Sequence, residues 1–376
     1  MGQGPLAMHT MTTRYSRTLS AFATLAVAAC ASSGPGEPLP SPTPAVAGQT
    51  GVTWPVTTRA HIDLWLHGFA LISPDSGRVP LFKRGYASRI AENKSRSNVQ
   101  TSLDVNRDRL RARYETNRAL LNAQFLAMRF GSWEDLRQAI DLFLRAEGDP
   151  GRASDPLAQQ IIATFAQTFS TAADRDWLRL FALSLNDENE RFYRSWWTQR
   201  QTDLAPVRER IQSLWADTYN ARFQPFLNNT QQQAGEWILS LPVNGEGRAF
   251  TFEKRSNIFV GTMPESREAA TDAIYVFTHE AVYGMATTAV VDNTTPNDRR
   301  SGVTDAFISA AAVRAGYLLL ERIAPELAAG YARYYLREAA APTTGDLGAA
   351  LTGAFPLPEA IREAINRQLA VILGGI

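Results

Sequence analysis

Apolar residues recur at three- and four-residue spacing along most of the chain beyond residue 52, the pattern of helices with one buried face. Thr57 and Thr58 can cap a helix running through Ile72, with Ile62, Trp65, Leu66 and Phe69 on one side. The same stretch alternates as a strand would, with Ile62, Leu64 and Leu66 set against His61, Asp63, Trp65 and His67, so both readings stand there. Pro74-Asp75-Ser76-Gly77 breaks it. From Leu103 to Met128 the spacing of Leu103, Leu110, Tyr114, Leu121 and Phe125 predicts one helix with an arginine-rich outer face. Further helices are expected at 132–146, 155–170, 173–184, 186–200 and 204–222, with a turn at Gly148-Asp149-Pro150-Gly151.

The texture changes after Trp237. Leu241-Pro242-Val243-Asn244-Gly245 reads as a turn, and two short runs, 248–253 and 257–262, read as a hairpin. Pro264-Glu265 opens a long helix to about Val291, with acids in its first turn where the helix dipole favours them. Helices at about 304–322, 325–340 and 357–372 follow. The expected fold class is mainly α: a multi-helical body with a small β-hairpin before a long helix in the C-terminal half. The hydropathy divides the body into a helical region, 52–235, and an α-rich region, 236–376.

Residues 1–51 read differently. Arg14 and Arg17 precede an apolar run, Leu19 to Ala29, which is too short to span a bilayer. It ends in Val27-Ala28-Ala29-Cys30, and Cys30 is the sole cysteine. This ending resembles the lipobox of bacterial lipoproteins. The resemblance implies a signal peptide over 1–29, cleavage before Cys30, diacylglyceryl and acyl chains on Cys30, and anchoring in a lipid bilayer. Ala31, rather than an aspartate, follows the cysteine, and in such lipoproteins that implies the outer membrane. Residues 30–51 are rich in Pro, Gly, Ser and Ala and read as a flexible tether. Translation from Met11 instead of Met1 would leave the same signal complete.

Removing 1–29 removes Arg14 and Arg17 and no acid, so the net charge of +1 becomes about −1. That excludes nucleic acid as a partner on electrostatic grounds. With Cys30 acylated, neither a disulfide nor a thiol nucleophile remains. No phosphate-binding loop, GxSxG elbow or SxxK pair is present. Trp196 and Trp197 beside Tyr193 are read as core, as are Tyr331, Tyr334 and Tyr335. The arginines 107, 109, 111 and 113 read as a solvated helix face pairing with Asp104, Asp108 and Glu115.

The remaining chemistry lies in Phe277-Thr278-His279-Glu280-Ala281-Val282-Tyr283 on the long helix. This segment resembles the HExxH helix of zincin metallopeptidases, and the likeness extends over about 248–325. In that family the two histidines bind zinc and the glutamate polarises the attacking water. The resemblance implies zinc held by His279 and by Asp305 or Glu321 from the next helix, with Glu280 as general base. Tyr283 stands where the second histidine belongs; it would replace that ligand or aid the transition state. A phenol, with a pKa near 10, is a poor substitute for imidazole. Two functions are therefore expected: an envelope lipoprotein with a degenerate, non-catalytic zincin-like site that packs or binds a peptide or envelope protein, or a zinc-dependent envelope peptidase. A second metal arrangement would use His67, oriented by Asp63 four residues before it, with His279. His61 and His67 lie about 240° apart on a helix and could not share a metal there.

Overall fold

The ambiguous first segment is a helix. In the computed structural model, which describes residues 53–74, 77–252 and 256–374, α1 spans Ala60–Ile72 and buries every residue from His61 onward. A helix covered on all sides need not confine its apolar residues to one stripe, which is why its pattern also passes for a strand. Its N-cap is Arg59, while Thr57 belongs to a two-residue strand, β1, Val56–Thr57.

The helical layer continues with α2 (Tyr86–Arg96) and α3 (Ser102–Thr116), the latter opened by a reciprocal Thr101–Asp104 cap. The single helix expected over 103–128 stops at Asn117. That side chain accepts a hydrogen bond from the Ala119 amide and restarts the chain as a tight 3-10 coil, Arg118–Arg129. The change of pitch turns Leu121 outward, 45% exposed, although the helical spacing had placed it inside. Next come α4 (Trp133–Arg145), α5 (Pro156–Ala166) and α6 (Ala172–Glu188). A π turn, Asn189–Tyr193, carries α6 directly into α7 (Arg194–Asp203). A second π turn, Trp215–Tyr219, joins α8 (Ala205–Leu214) to α9 (Asn220–Asn229).

Three longer strands follow: β2 (Gly235–Ser240), β3 (Arg248–Phe252) and β4 (Ser256–Thr262). β3 and β4 form the expected antiparallel hairpin, but β4 also pairs with β2 in parallel, and β2 pairs in parallel with β1, giving the order β1-β2-β4-β3. The chain then forms α10 (Ala270–Asp292), the short α11 (Pro296–Ser301), α12 (Val303–Ile323), α13 (Pro325–Glu338), α14 (Leu347–Ala354) and α15 (Glu359–Ile372). The protein is mainly α-helical, as expected.

Strand alternation splits the core in two. Trp237, Leu239 and Phe259 face a core built with α8 to α10 and α12 to α15, whereas Ile238, Ile258 and Val260 face one built with α1 to α6. Trp196 and Trp197 on α7 pack against both. Helices α8 and α9, from the helical region expected over 52–235, thus share a core with α10. The apolar helix Val303–Ile323 has the length and composition of a membrane span, and half of it is buried inside the fold.

Candidate functional site

α10 carries Phe277 and His279 on opposite sides, because two residues advance a helix by about 200°. Phe277 enters an aromatic cluster, which fixes the helix against the sheet and presents His279 to α13 and to the segment between β2 and β3. His279 is completely buried, and its ring stacks on Tyr335 of α13 at 5.4 Å between centroids. Its Nδ1 donates to Oε1 of the adjacent Glu280 at 2.9 Å. In the neutral ring this leaves Nε2 as an acceptor, and that nitrogen is buried with no partner among the described residues, as is Oε2 of Glu280.

The β2–β3 segment closes over this pair. The Gly247 amide donates to Glu280 Oε1 at 3.2 Å, and Tyr335 donates its hydroxyl to the Gly245 carbonyl at 3.0 Å. Only glycine fits at 247: a Cβ there would stand 2.4 Å from the Val260 carbonyl oxygen and 3.0 Å from Cγ of Glu280. Glu246 and Arg248 flank that glycine and complete the cluster. Ser309 of α12 donates to Glu246 at 3.3 Å, and the Arg248 guanidinium lies 5.8 Å from the Tyr283 ring centre and 5.2 Å from that of Phe125.

The charges inside are balanced. Burial would push the Glu280 carboxyl up, but the hydrogen bond from His279 and the guanidinium of Arg248 hold it below its ordinary value. Glu246 lies on the other side: burial pushes it up, against the opposing pull of His279 and Arg248. Burial likewise raises the Tyr283 phenol, whose hydroxyl engages Arg248. Tyr283 therefore serves as a neutral partner of an arginine.

The acids expected to join His279 lie elsewhere. Asp305, in the first turn of α12, and Glu321, in its last turn, are both exposed. Among the described residues no three His, Cys, Asp or Glu side chains come together as a metal site. One imidazole nitrogen and the carboxylate it already bonds fall short of the three protein ligands a catalytic zinc requires. The donor set does not fit zinc. Cys30, with the signal and tether expected over residues 1–51, lies outside the described residues.

The other histidines occupy separate surroundings. His61 donates to the Phe130 carbonyl at 2.8 Å. The Asp63–His67 pair suggested by their spacing does not form. Asp63 turns to the sheet, accepting from Ser240 Oγ at 2.6 Å, the Leu241 amide at 2.9 Å and Trp197 Nε1 at 2.7 Å. Burial raises its carboxyl to about 6 against those three bonds. His67 donates Nε2–H to Glu188 at 3.1 Å and receives the Tyr86 hydroxyl on Nδ1 at 2.9 Å, an arrangement that fits a ring kept neutral by burial. Glu188 also accepts from Lys94 at 2.6 Å and from Thr101. Lys94 reaches both oxygens of Asp104 at 2.9 Å. No histidine from α1 approaches His279 through these contacts.

Sequence reasoning missed Glu246, Arg248, Glu188 and Lys94. A signal existed for two of them. Leu178, Phe181, Leu185 and Glu188 keep helical spacing, as do Tyr86, Ile90 and Lys94, so each charge continues an apolar face. No family model, no curated protein and no solved structure matches this chain.

Proposed function

We propose that this protein is a lipid-anchored bacterial envelope protein, held at the outer membrane through acylated Cys30. Its zincin-like helix braces a binding or scaffolding body and does not hydrolyse peptides. The observation that carries this reading is the way His279 is spent: its Nδ1 is bonded to Glu280, Tyr335 covers its ring, and both candidate acids face solvent. A peptidase would need the reverse, an accessible ion with Glu280 free to take a proton from water. The partner that suits this reading is a peptide or another envelope protein.

One observation favours the zinc peptidase instead, the bare Nε2 of His279, the kind of nitrogen that ligates metals. Metal content separates the two. Protein purified without its lipid, and a His279→Ala variant beside it, should both carry far less than one zinc per chain by atomic emission. One zinc per wild-type chain, lost in His279→Ala, would overturn the non-catalytic reading.

The anchor is tested separately. In detergent phase separation the wild-type protein is expected in the detergent phase and Cys30→Ser in the aqueous phase, because about 0.8 kcal/mol of membrane affinity goes with each buried CH₂ of an acyl chain. Unchanged partitioning of Cys30→Ser would refute acylation at this residue.

A further inference from the structure

A cleft of about 690 Å³ lies away from His279, beyond the carboxyl ends of β2 and β4. Thr262 closes β4 on its wall and Asn244 enters it four residues after β2 ends. Parallel strands commonly present ligand sites at this end, where the chain turns from strand to helix. Here the helix is α10, 23 residues long. Its N-cap, Ala269, lines the cleft; the amides of Ala270 and Asp272 are taken by the carbonyls of Arg267 and Ala269, so the helix end contributes only the field of its dipole.

The charge on the walls adds to that field. Four cations line the cleft, Lys83, Arg84, Arg89 and Arg337, against three acids, Glu265, Asp272 and Glu338. Every acid is engaged. Glu265 holds Lys83 at 3.1 Å and, from outside the lining, Arg200 at 2.6 Å. Glu338 holds Arg84 at 3.6 Å and accepts from Asn244 at 2.6 Å, and Asp272 lies 3.8 Å from Arg337. Arg89 makes no ion pair among the described residues; its guanidinium donates to the Arg84 carbonyl at 3.0 Å. The cleft therefore has a net positive wall and, among the described residues, one guanidinium that makes no ion pair. Tyr334, Pro264 and Ala269 give it apolar surface as well, which suits an organic body behind the charge.

We propose that this cleft binds a small organic anion through a carboxylate paired with Arg89. A carboxylate matches the two-pronged guanidinium in size and charge and forms two parallel hydrogen bonds with it. Asp272 opposes such a ligand, since it is the acid on the α10 wall with the most distant partner, and burial raises it to about 6.

Isothermal titration with succinate tests the assignment, and inorganic phosphate is the comparison anion. Succinate should give a saturable isotherm with wild-type protein. Arg89→Ala should weaken it at least tenfold, Asp272→Asn should hold or tighten it, and Arg109→Ala, an exposed arginine on α3, should leave it unchanged. Arg89 is exposed and its hydrogen bond to the Arg84 carbonyl lies at the surface, so Arg89→Ala is expected to fold, and circular dichroism of the variant checks that it does. No saturable succinate binding, equal binding by Arg89→Ala, or phosphate binding as tightly as succinate would each overturn the proposal. None of these readouts depends on zinc or on Cys30.

Discussion

Replacing Glu188 by alanine is expected to lower the unfolding free energy by about 3–5 kcal/mol, the range for removing one partner of a buried ion pair. Glu188 is fully buried and Lys94 is 3% exposed. Without Glu188 the buried Lys94 ammonium loses a partner, and the Thr101 hydroxyl and the His67 Nε2–H lose their acceptor too. Asp104 still holds the ammonium from the more exposed side, which keeps the loss within that range. Urea unfolding of Glu188→Ala measures it. Lys94→Met combined with Glu188→Met should recover only the share owed to the stranded ammonium, because Thr101 and His67 still lack their acceptor. A cost below about 1 kcal/mol for Glu188→Ala would show that the ion pair does not hold α2, α3 and α6 together.

The same cluster sets an acid limit on stability. Burial would raise the Glu188 carboxyl, but the hydrogen bond from His67 and the charge of Lys94 hold it below its ordinary 4.5. A carboxylate lowered in the folded state contributes stability above that ordinary value, and the contribution is lost as pH falls further. Burial also lowers His67 from 6.5, so the unfolded chain takes up that proton first, and stability falls as pH drops through 6.5. Both effects have the same sign. Glu188→Gln should remove the carboxylate's share of the acid loss and leave the part that sets in near pH 6.5.

Much of the helical frame was legible because its signals are local. Ser132 caps the Asp135 amide at the start of α4, and a capped start followed by a periodic face needs no distant partner to be read. The hairpin was legible for the same reason. What failed was whatever depended on packing across the fold. β2, just before the turn expected at 241–245, was not read as a strand, because its strand character comes from parallel pairing with β4, some twenty residues on. α1 looked ambiguous because both sides of it are covered. At the candidate site, the adjacency of His279 and Glu280 on one helix was readable, and their surroundings were not. Glu246 reaches them from a loop and Arg248 from the first position of β3, and residues placed by another element keep no period with a helix. Asp305 stood at the ligand position that the resemblance implied and lies at the surface, because a likeness of sequence fixes a residue's position along α12 and not the side of α12 that faces α10.

Phe277→Ala is expected to cost about 3–5 kcal/mol, the range for deleting a large aromatic side chain from a packed core. Five rings lie within 6.0 Å of it between centroids: Trp54 at 5.3 Å, Trp215 at 4.6 Å, Phe223 at 6.0 Å, Trp237 at 4.8 Å and Phe259 at 5.2 Å. Trp215 and Phe223 sit on the π turn and helix that precede the sheet strand β2; Trp237 and Phe259 sit on the sheet. Their backbones are fixed by separate elements, so the cavity cannot collapse, which places the loss toward the upper end. Phe277→Leu should recover part of it. The residue ties elements from both sides of residue 235 to α10, so the variant should still unfold in one transition, followed by tryptophan fluorescence and by far-ultraviolet circular dichroism with the same midpoint. Two separated midpoints would mean that residues on either side of 235 fold as independent units and that this aromatic cluster does not couple them.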